Sequence, residues 1–422
     1  MDTQQEKIVQ IVDGLEQEIY DFTARLTAEA STLGNEAGAI QVMHSELDKL
    51  GFAPKRIPID PGKLCEHPGF APVPWDYAGK ECVVGFYSGC SGQGKSLIFN
   101  GHLDVVSAEP IDFWVNDPFV PYVQDGWMYG RGSGDMKSGV AAMTYAAFAL
   151  GQAGFGLKGN LTLEGVIEEE CTGNGALACM QAGYDADAVL IPEPFGMTVL
   201  TNQVGVLWFK VKIKGEPKHV LEAPIGTNAI EKSYGLIKAL RELEQEMNEG
   251  PFPGPYKEMQ HPLNLNVGIF KGGDWPSTVP AESEVHCRLS YFPGSSFAEI
   301  ASKVQDKVAK ASKQDDWLSE NEPQVEFYAF RSDGHSVDPG LPAFNLLRDC
   351  HYELTGQKPK DYIATCTTDL RTFQHFGTPQ STCYGPVAEN IHGIDERVKL
   401  DSILHTAKAY ALFAAKWCEL TE

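Results

Sequence analysis

The chain has 422 residues, 43% of them apolar, and its 57 acidic against 34 basic side chains give a formal net charge of -23. That length exceeds one ordinary domain and predicts two, with apolar content ample for a core. The charge opposes nucleic-acid phosphates and anionic membrane surfaces, so neither is an expected partner.

The first ten residues, MDTQQEKIVQ, lack a basic flank followed by an apolar stretch, and nowhere do eighteen apolar residues run uninterrupted. Neither export nor membrane insertion is therefore expected. Ten cysteines, none spaced as CxxC, read as reduced thiols, which predicts a cytoplasmic protein.

Residues 6 to 51 carry a helical pattern, and a proline-rich stretch from Pro54 to Pro74 reads as an irregular connection. Strand and helix signals then alternate. Leu97 to Val106 reads as a strand and Val140 to Leu150 as a helix. Asn160 to Ile167 is again strand-like, Gly175 to Ala182 helical, and Ala188 to Ile191 a buried strand. This rhythm predicts an α/β fold with a mostly parallel central sheet flanked by helices. Near residue 204 the character changes, because Leu207, Phe209, Val211 and Ile213 alternate with Trp208, Lys210, Lys212 and Lys214. A helix, two strands, a helix and a strand come next, the β-α-β-β-α-β order of a ferredoxin-like α+β unit. The expected organisation is a catalytic domain in two parts, 1–203 and 332–422, with an inserted lid or dimerisation domain at 204–331.

Residues of metal-binding type fall at the ends of these apolar runs, where a sheet-based enzyme gathers its site. His102 and Asp104 lie two apart and project from one side of an extended segment. Asp135 sits in GRGSGDMKSG just before a helix, where an N-cap is the ordinary alternative role. Glu168, Glu169 and Glu170 end a strand and repel one another unless cations or protons relieve them; a solvated acidic patch is the alternative. Glu193 comes after AVLIP, and His392 lies in NIHGIDE.

The succession HLD, GRGSGDMKSG, EEECTGNG, PEP and IHGIDE resembles the dinuclear zinc hydrolases that include acetylornithine deacetylase, succinyl-diaminopimelate desuccinylase, aminoacylase and the carboxypeptidase G type enzymes. The likeness runs from about residue 97 onward and includes GTNAI and GGDWPSTVP in the insertion. It implies that His102 and Glu193 hold one Zn2+, that Glu170 and His392 hold a second, and that Asp135 bridges them, with Co2+ as a substitute. It further implies Asp104 as the group orienting His102 and Glu169 as general base. His219 would be an oxyanion-stabilising histidine reaching into a partner subunit, which implies a homodimer joined through the lid. Arg288 would grip a substrate carboxylate; Ser277 and Arg371 are further substrate contacts. The sequence departs from the family at Val220, where a small polar residue usually succeeds the histidine, and at Ser277, where many relatives carry Asn.

Gly89 to Ser96, GCSGQGKS, fits the phosphate-loop pattern GxxxxGK[ST]. That mechanism needs a helix directly after the Lys-Ser pair. The next segment, LIFNGHLDVV, is strand-like, so nucleotide binding is the remote alternative. The expected function is a metal-dependent amidohydrolase that deacylates an N-acyl amino acid or similar small N-acyl amine. A deformylase of an N-formyl aromatic or pyrimidine amine, and a metallodipeptidase or carboxypeptidase, stand as alternatives. Trp208, Trp275 and the pair Phe113-Trp114 are candidates for an aromatic pocket, or for ordinary core and interface positions.

Overall fold

The computed structural model describes residues 1–87 and 90–421. Its central six-stranded sheet runs in the order Lys55–Pro58, Glu81–Phe86, Leu161–Val166, Leu97–His102, Ala188–Ile191, Ser381–Cys383. The last four strands are mutually parallel, and the first two close one edge antiparallel. Leu97–His102 and Leu161–Val166 are buried at every residue, as expected for parallel strands covered on both faces. Helix Ser138–Gln152 lies on these strands and against helix Leu400–Trp417. Gly101 of the strand lets the helix come close: a Cβ there would meet the Val140 side chain at 2.8 Å.

The helical pattern at the start divides into Thr3–Gly14, Glu16–Thr27 and Ala37–Lys49. The proline-rich stretch is not wholly irregular. It contains the edge strand Lys55–Pro58 and a short helix, Pro61–Leu64, capped by Asp60. Proline is tolerated there because an edge strand has an unpaired side.

Residues 205–332 build a second, antiparallel sheet in the order Leu265–Gly272, Glu282–Tyr291, Gly205–Lys214, Gln324–Ser332, with helices Ala229–Met247 and Phe297–Ser312. It has its own core around Leu207, Phe209, Val211, Leu289 and Val304. The lysines on its other face meet carboxylates on neighbouring strands, Lys210 and Lys212 with Glu326 and Lys212 with Glu284.

The chain enters and leaves this unit at one place. Val206 pairs with Ser332, and Gln203, in strand Val199–Gln203, pairs with His335. The crossing is tight: a Cβ on Gly205 would come within 2.4 Å of the Tyr291 ring and 2.8 Å of the Gly334 nitrogen. Only glycine fits there.

Candidate metal centre and catalytic site

The loops after the parallel strands converge at their C-terminal ends. His102 is the last residue of its strand and is buried. Its Nδ1 lies 2.9 Å from the main-chain oxygen of Asp104. A carbonyl only accepts, so Nδ1 carries a proton and donates to it, while Nε2 faces Asp135, whose Oδ1 is 3.1 Å away. The Asp104 carboxylate is 3.7 Å from Nδ1. Its shorter contacts are to the amides of Glu169 (3.3 Å) and Glu170 (3.1 Å). Asp104 thus orients His102 through its main chain and pins the acidic turn with its side chain.

Asp135 stands between two imidazoles: Oδ1 faces His102, and Oδ2 lies 3.4 Å from His392 Nε2. His392 Nε2 is also 3.1 Å from Glu170 Oε1. Donor atoms of His102, Asp135 and Glu170 all lie within 4.8 Å of one another. Glu193 is buried, and the closeness of its backbone to Gly385 is such that a Cβ there would sit 2.3 Å from the Glu193 oxygen. The His392 side chain is half exposed while His102 is enclosed, so the site opens on the His392 side. His392 itself has φ +60, a left-handed conformation that a non-glycine residue keeps only where its surroundings enforce it.

The electrostatics arise from this crowding. Burial alone would lower the His102 pKa, but the Asp135 bond and the charges of Asp104 and Glu193 carry it well above the usual value. Glu170, then Asp135, raise His392 to about 11. Asp135 is held low by the two imidazoles against the opposing effect of burial. Burial, then the Asp135 charge, push Glu193 well up. A buried set with more carboxylates than imidazoles needs cationic charge among its members. Imidazole nitrogen and carboxylate oxygen suit zinc. The donor atoms of His102, Asp135 and Glu170 therefore fit a divalent metal ion, with His392 beside them.

The three consecutive glutamates separate. Glu170 meets His392. Glu169 Oε1 accepts from Arg371 Nη1 at 3.2 Å. Glu168 turns away into a buried cage of Trp75, Tyr77, Lys80 and Thr172. Burial raises the Glu169 pKa, with Arg371 and His102 opposing. Arg371 is buried, pairs also with Asp369 at 3.4 Å, and lies 4.8 Å over the Phe330 ring.

The remaining candidates come from the four-stranded unit. Arg288 reaches across to the Thr365 oxygen (3.2 Å) while bonding the Asn264 oxygen (3.3 Å). His219 is exposed; its Nδ1 accepts from the Leu221 amide. Ser277 is exposed beside it, its carbonyl accepting from Val220. Of the aromatic candidates, Trp208 packs on Tyr328 and Phe330, Trp114 is buried under Arg131, and Trp275 and Phe113 are about two-thirds exposed.

Glu396, the last residue of IHGIDE, was not singled out by sequence. Its Oε1 accepts from the amides of Gly132 (3.1 Å), Gly134 (3.0 Å) and Asp135 (2.9 Å), and Oε2 pairs with Arg131. It fixes the glycine-rich turn on which Asp135 stands. The loop Cys90–Ser96 leads into a strand, with Gly89 outside the described residues. The Ser96 amide and hydroxyl both donate to Asp187, and Lys95 lies over Trp417, so this turn is spent on internal contacts.

Paired imidazoles and converging carboxylates at the C-terminal edge of a parallel sheet define a metal-dependent hydrolase. Residues 98–416 match the model of Peptidase family M20/M25/M40, and the chain belongs to that family. It is a metal-dependent amidohydrolase. It is 30% identical over 377 residues to the N-formyl-4-amino-5-aminomethyl-2-methylpyrimidine deformylase of Bacillus subtilis (strain 168), covering 83% of this chain and 86% of the relative. To the succinyl-diaminopimelate desuccinylase of Xylella fastidiosa (strain 9a5c) it is 26% identical over 406 residues, covering 94% and 97%. The fold is that of the di-peptidase Dug1p from Saccharomyces cerevisiae, with a TM-score of 0.81, 15% identity and full coverage of both chains. It is also that of human carnosine dipeptidase 1, with a TM-score of 0.76, 15% identity, and coverage of 98% and 100%.

Proposed function

We propose that this protein is a two-zinc, cytoplasmic deacylase that cleaves the linear amide of a small N-acyl amine, with an N-formylated aminomethylpyrimidine as the first substrate to try and N-acyl amino acids as the second. The observation that carries the chemistry is Asp135 offering one oxygen to each of two imidazoles, with Glu169 beside it on a separate partner. The likeness to the deformylase supports the choice of first substrate.

In this reading His102 and Glu193 hold one metal, Glu170 and His392 the other, and Asp135 both. Zinc so held polarises a carbonyl and lowers the pKa of water. Glu169 takes a proton from the attacking water and delivers it to the amine nitrogen as the C–N bond breaks. Its raised pKa suits both halves of that transfer, and Arg371 keeps the carboxylate in place. Arg288 lies where the unit of residues 204–331, read as a lid, meets the body, and offers a cation to an anionic or polar part of the substrate. Ser277 lies beside His219, its carbonyl accepting from the Val220 amide. The family resemblance gives His219, which is exposed, the role of stabilising the oxyanion in a second copy, with the protein working as a homodimer.

Metal analysis with an N-formyl, N-acetyl, N-succinyl and dipeptide panel, before and after chelation, tests the reading. About two metals per chain and chelator-sensitive cleavage are expected, with Glu169→Gln lowering kcat roughly 10²- to 10⁴-fold. Cleavage that is indifferent to chelator, or a fully active Glu169→Gln protein, would overturn it.

A further inference from the structure

We propose that Glu168 is a positioning residue for Glu169, and that residues 66–80 form a strap tying both to the four-stranded unit; the proposal rests on the reading of Glu169 as general base. Glu168 has no exposed surface and φ +67. A non-glycine residue stays in that region only when its neighbours over-determine it. Here they do. Oε1 accepts from Trp75 Nε1 at 2.8 Å and Lys80 Nζ at 3.0 Å, and Oε2 from the Tyr77 hydroxyl at 2.6 Å and Thr172 Oγ1 at 2.9 Å. The Glu168 carbonyl accepts from the amides of Thr172 and Gly173. With both ends of residue 168 fixed, the direction in which the Glu169 side chain leaves the backbone is fixed too, because the next amide is pinned by Asp104.

The strap has a second attachment. Ala71 exchanges hydrogen bonds with the Asn174 carboxamide at 3.0 and 2.8 Å, and Asn174 Nδ2 also donates to the Tyr77 hydroxyl. One residue on, the Pro72 oxygen accepts from the Ala329 amide at 2.9 Å. Ala329 lies in strand Gln324–Ser332, where the register with its neighbour shifts, and has φ +55. The adjoining residue, Phe330, is the one beneath Arg371. Two routes therefore run from the same strand to the general base: Phe330 to Arg371 to Glu169, and Ala329 to Pro72 through Trp75 and Tyr77 to Glu168. Displacement of that strand bears on Glu169 from both sides. A mere folding anchor needs neither this convergence nor four donors on one carboxylate.

The test deletes single donor atoms in the metal-loaded enzyme. In Trp75→Phe/Tyr77→Phe and in Tyr77→Phe alone, kcat should fall, on the order of tenfold or more for the double variant, as small misplacements of reacting groups do. KM and metal content should stay at wild-type values, and Glu168→Gln should retain more kcat than Glu168→Ala. An unchanged kcat in the donor deletions, with Glu169→Gln inactive, would overturn the positioning role alone. Activity lost only in proportion to lost metal or lost folded protein would overturn it equally, by assigning Glu168 to stability. Activity surviving in Glu169→Gln would instead remove the reading beneath it.

Discussion

Asn100 and Glu164 face each other on adjacent parallel strands, with Asn100 Nδ2 donating to Glu164 Oε2 at 2.9 Å. Asn100 Oδ1 and Glu164 Oε1 are buried and have no partner among the described residues. A proton on Glu164 supplies a donor that one of these orphan acceptors lacks. Burial pushes the Glu164 carboxyl up to about 8, Asn100 opposing and Asp369 adding to the rise. A raised acid keeps its proton in the folded chain after the unfolded chain has lost it. Stability therefore falls as pH climbs from about 4.5 toward 8 and loses nothing more from this group above that. Glu164→Gln, which carries its donor permanently, should show a flatter melting temperature between pH 5 and 9; a slope equal to wild type would refute the assignment. Residues of this kind are invisible in one sequence, because Glu164 reads as a polar interruption of a strand until its cross-strand partner is known. His102, Asp135, Glu170 and His392 were legible because each comes after an apolar run or a turn, and strand ends are where chemistry collects.

The elements that position the site divide in the same way. The alternation of strand and helix from residue 97 to 191 announces the parallel sheet, since period and length distinguish the two types there. The break between the first two helices was not legible, because a one-residue interruption at Leu15 leaves the apolar spacing almost undisturbed. Nor was the dependence of the Asp135 turn on Glu396, which lies 261 residues away in the chain. Three amides and Arg131 converge on that carboxylate. Glu396→Ala should leave a buried guanidinium unpaired and cost about 3–5 kcal/mol of stability. Urea denaturation checks the loss, and metal titration should show weakened binding as the turn loosens. A variant with wild-type stability and metal affinity would mean the turn holds itself.

At the scale of the whole molecule, His219 and Ser277 are exposed residues of the 205–332 unit, while His102, Asp135 and Glu170 meet on the body. The motif order gave His219 and Ser277 only as separate candidates, and their neighbourhood, Ser277 accepting from Val220 beside His219, depends on a strand pairing that the spacing does not reveal. If sites are shared across a two-fold dimer, mixing inactive Glu169→Ala and inactive His219→Ala proteins should restore activity. Random exchange makes half the dimers mixed, each with one intact site, so recovery should approach about a quarter of wild type. No recovery after subunit exchange is verified by mass would assign His219 to its own chain or to no catalytic part. The pairing of Gln203 with His335 carries a separate consequence. Since the chain departs and returns through adjacent residues, the 205–332 unit is topologically a detachable cassette: a short hairpin joining 203 to 335 would close the body without rethreading a single strand of the central sheet. The contacts the cassette makes with the body are specific, among them Phe330 under Arg371, Ala329 on Pro72 and Arg288 on Thr365, so an exchanged cassette would have to rebuild those three to keep the general base in place.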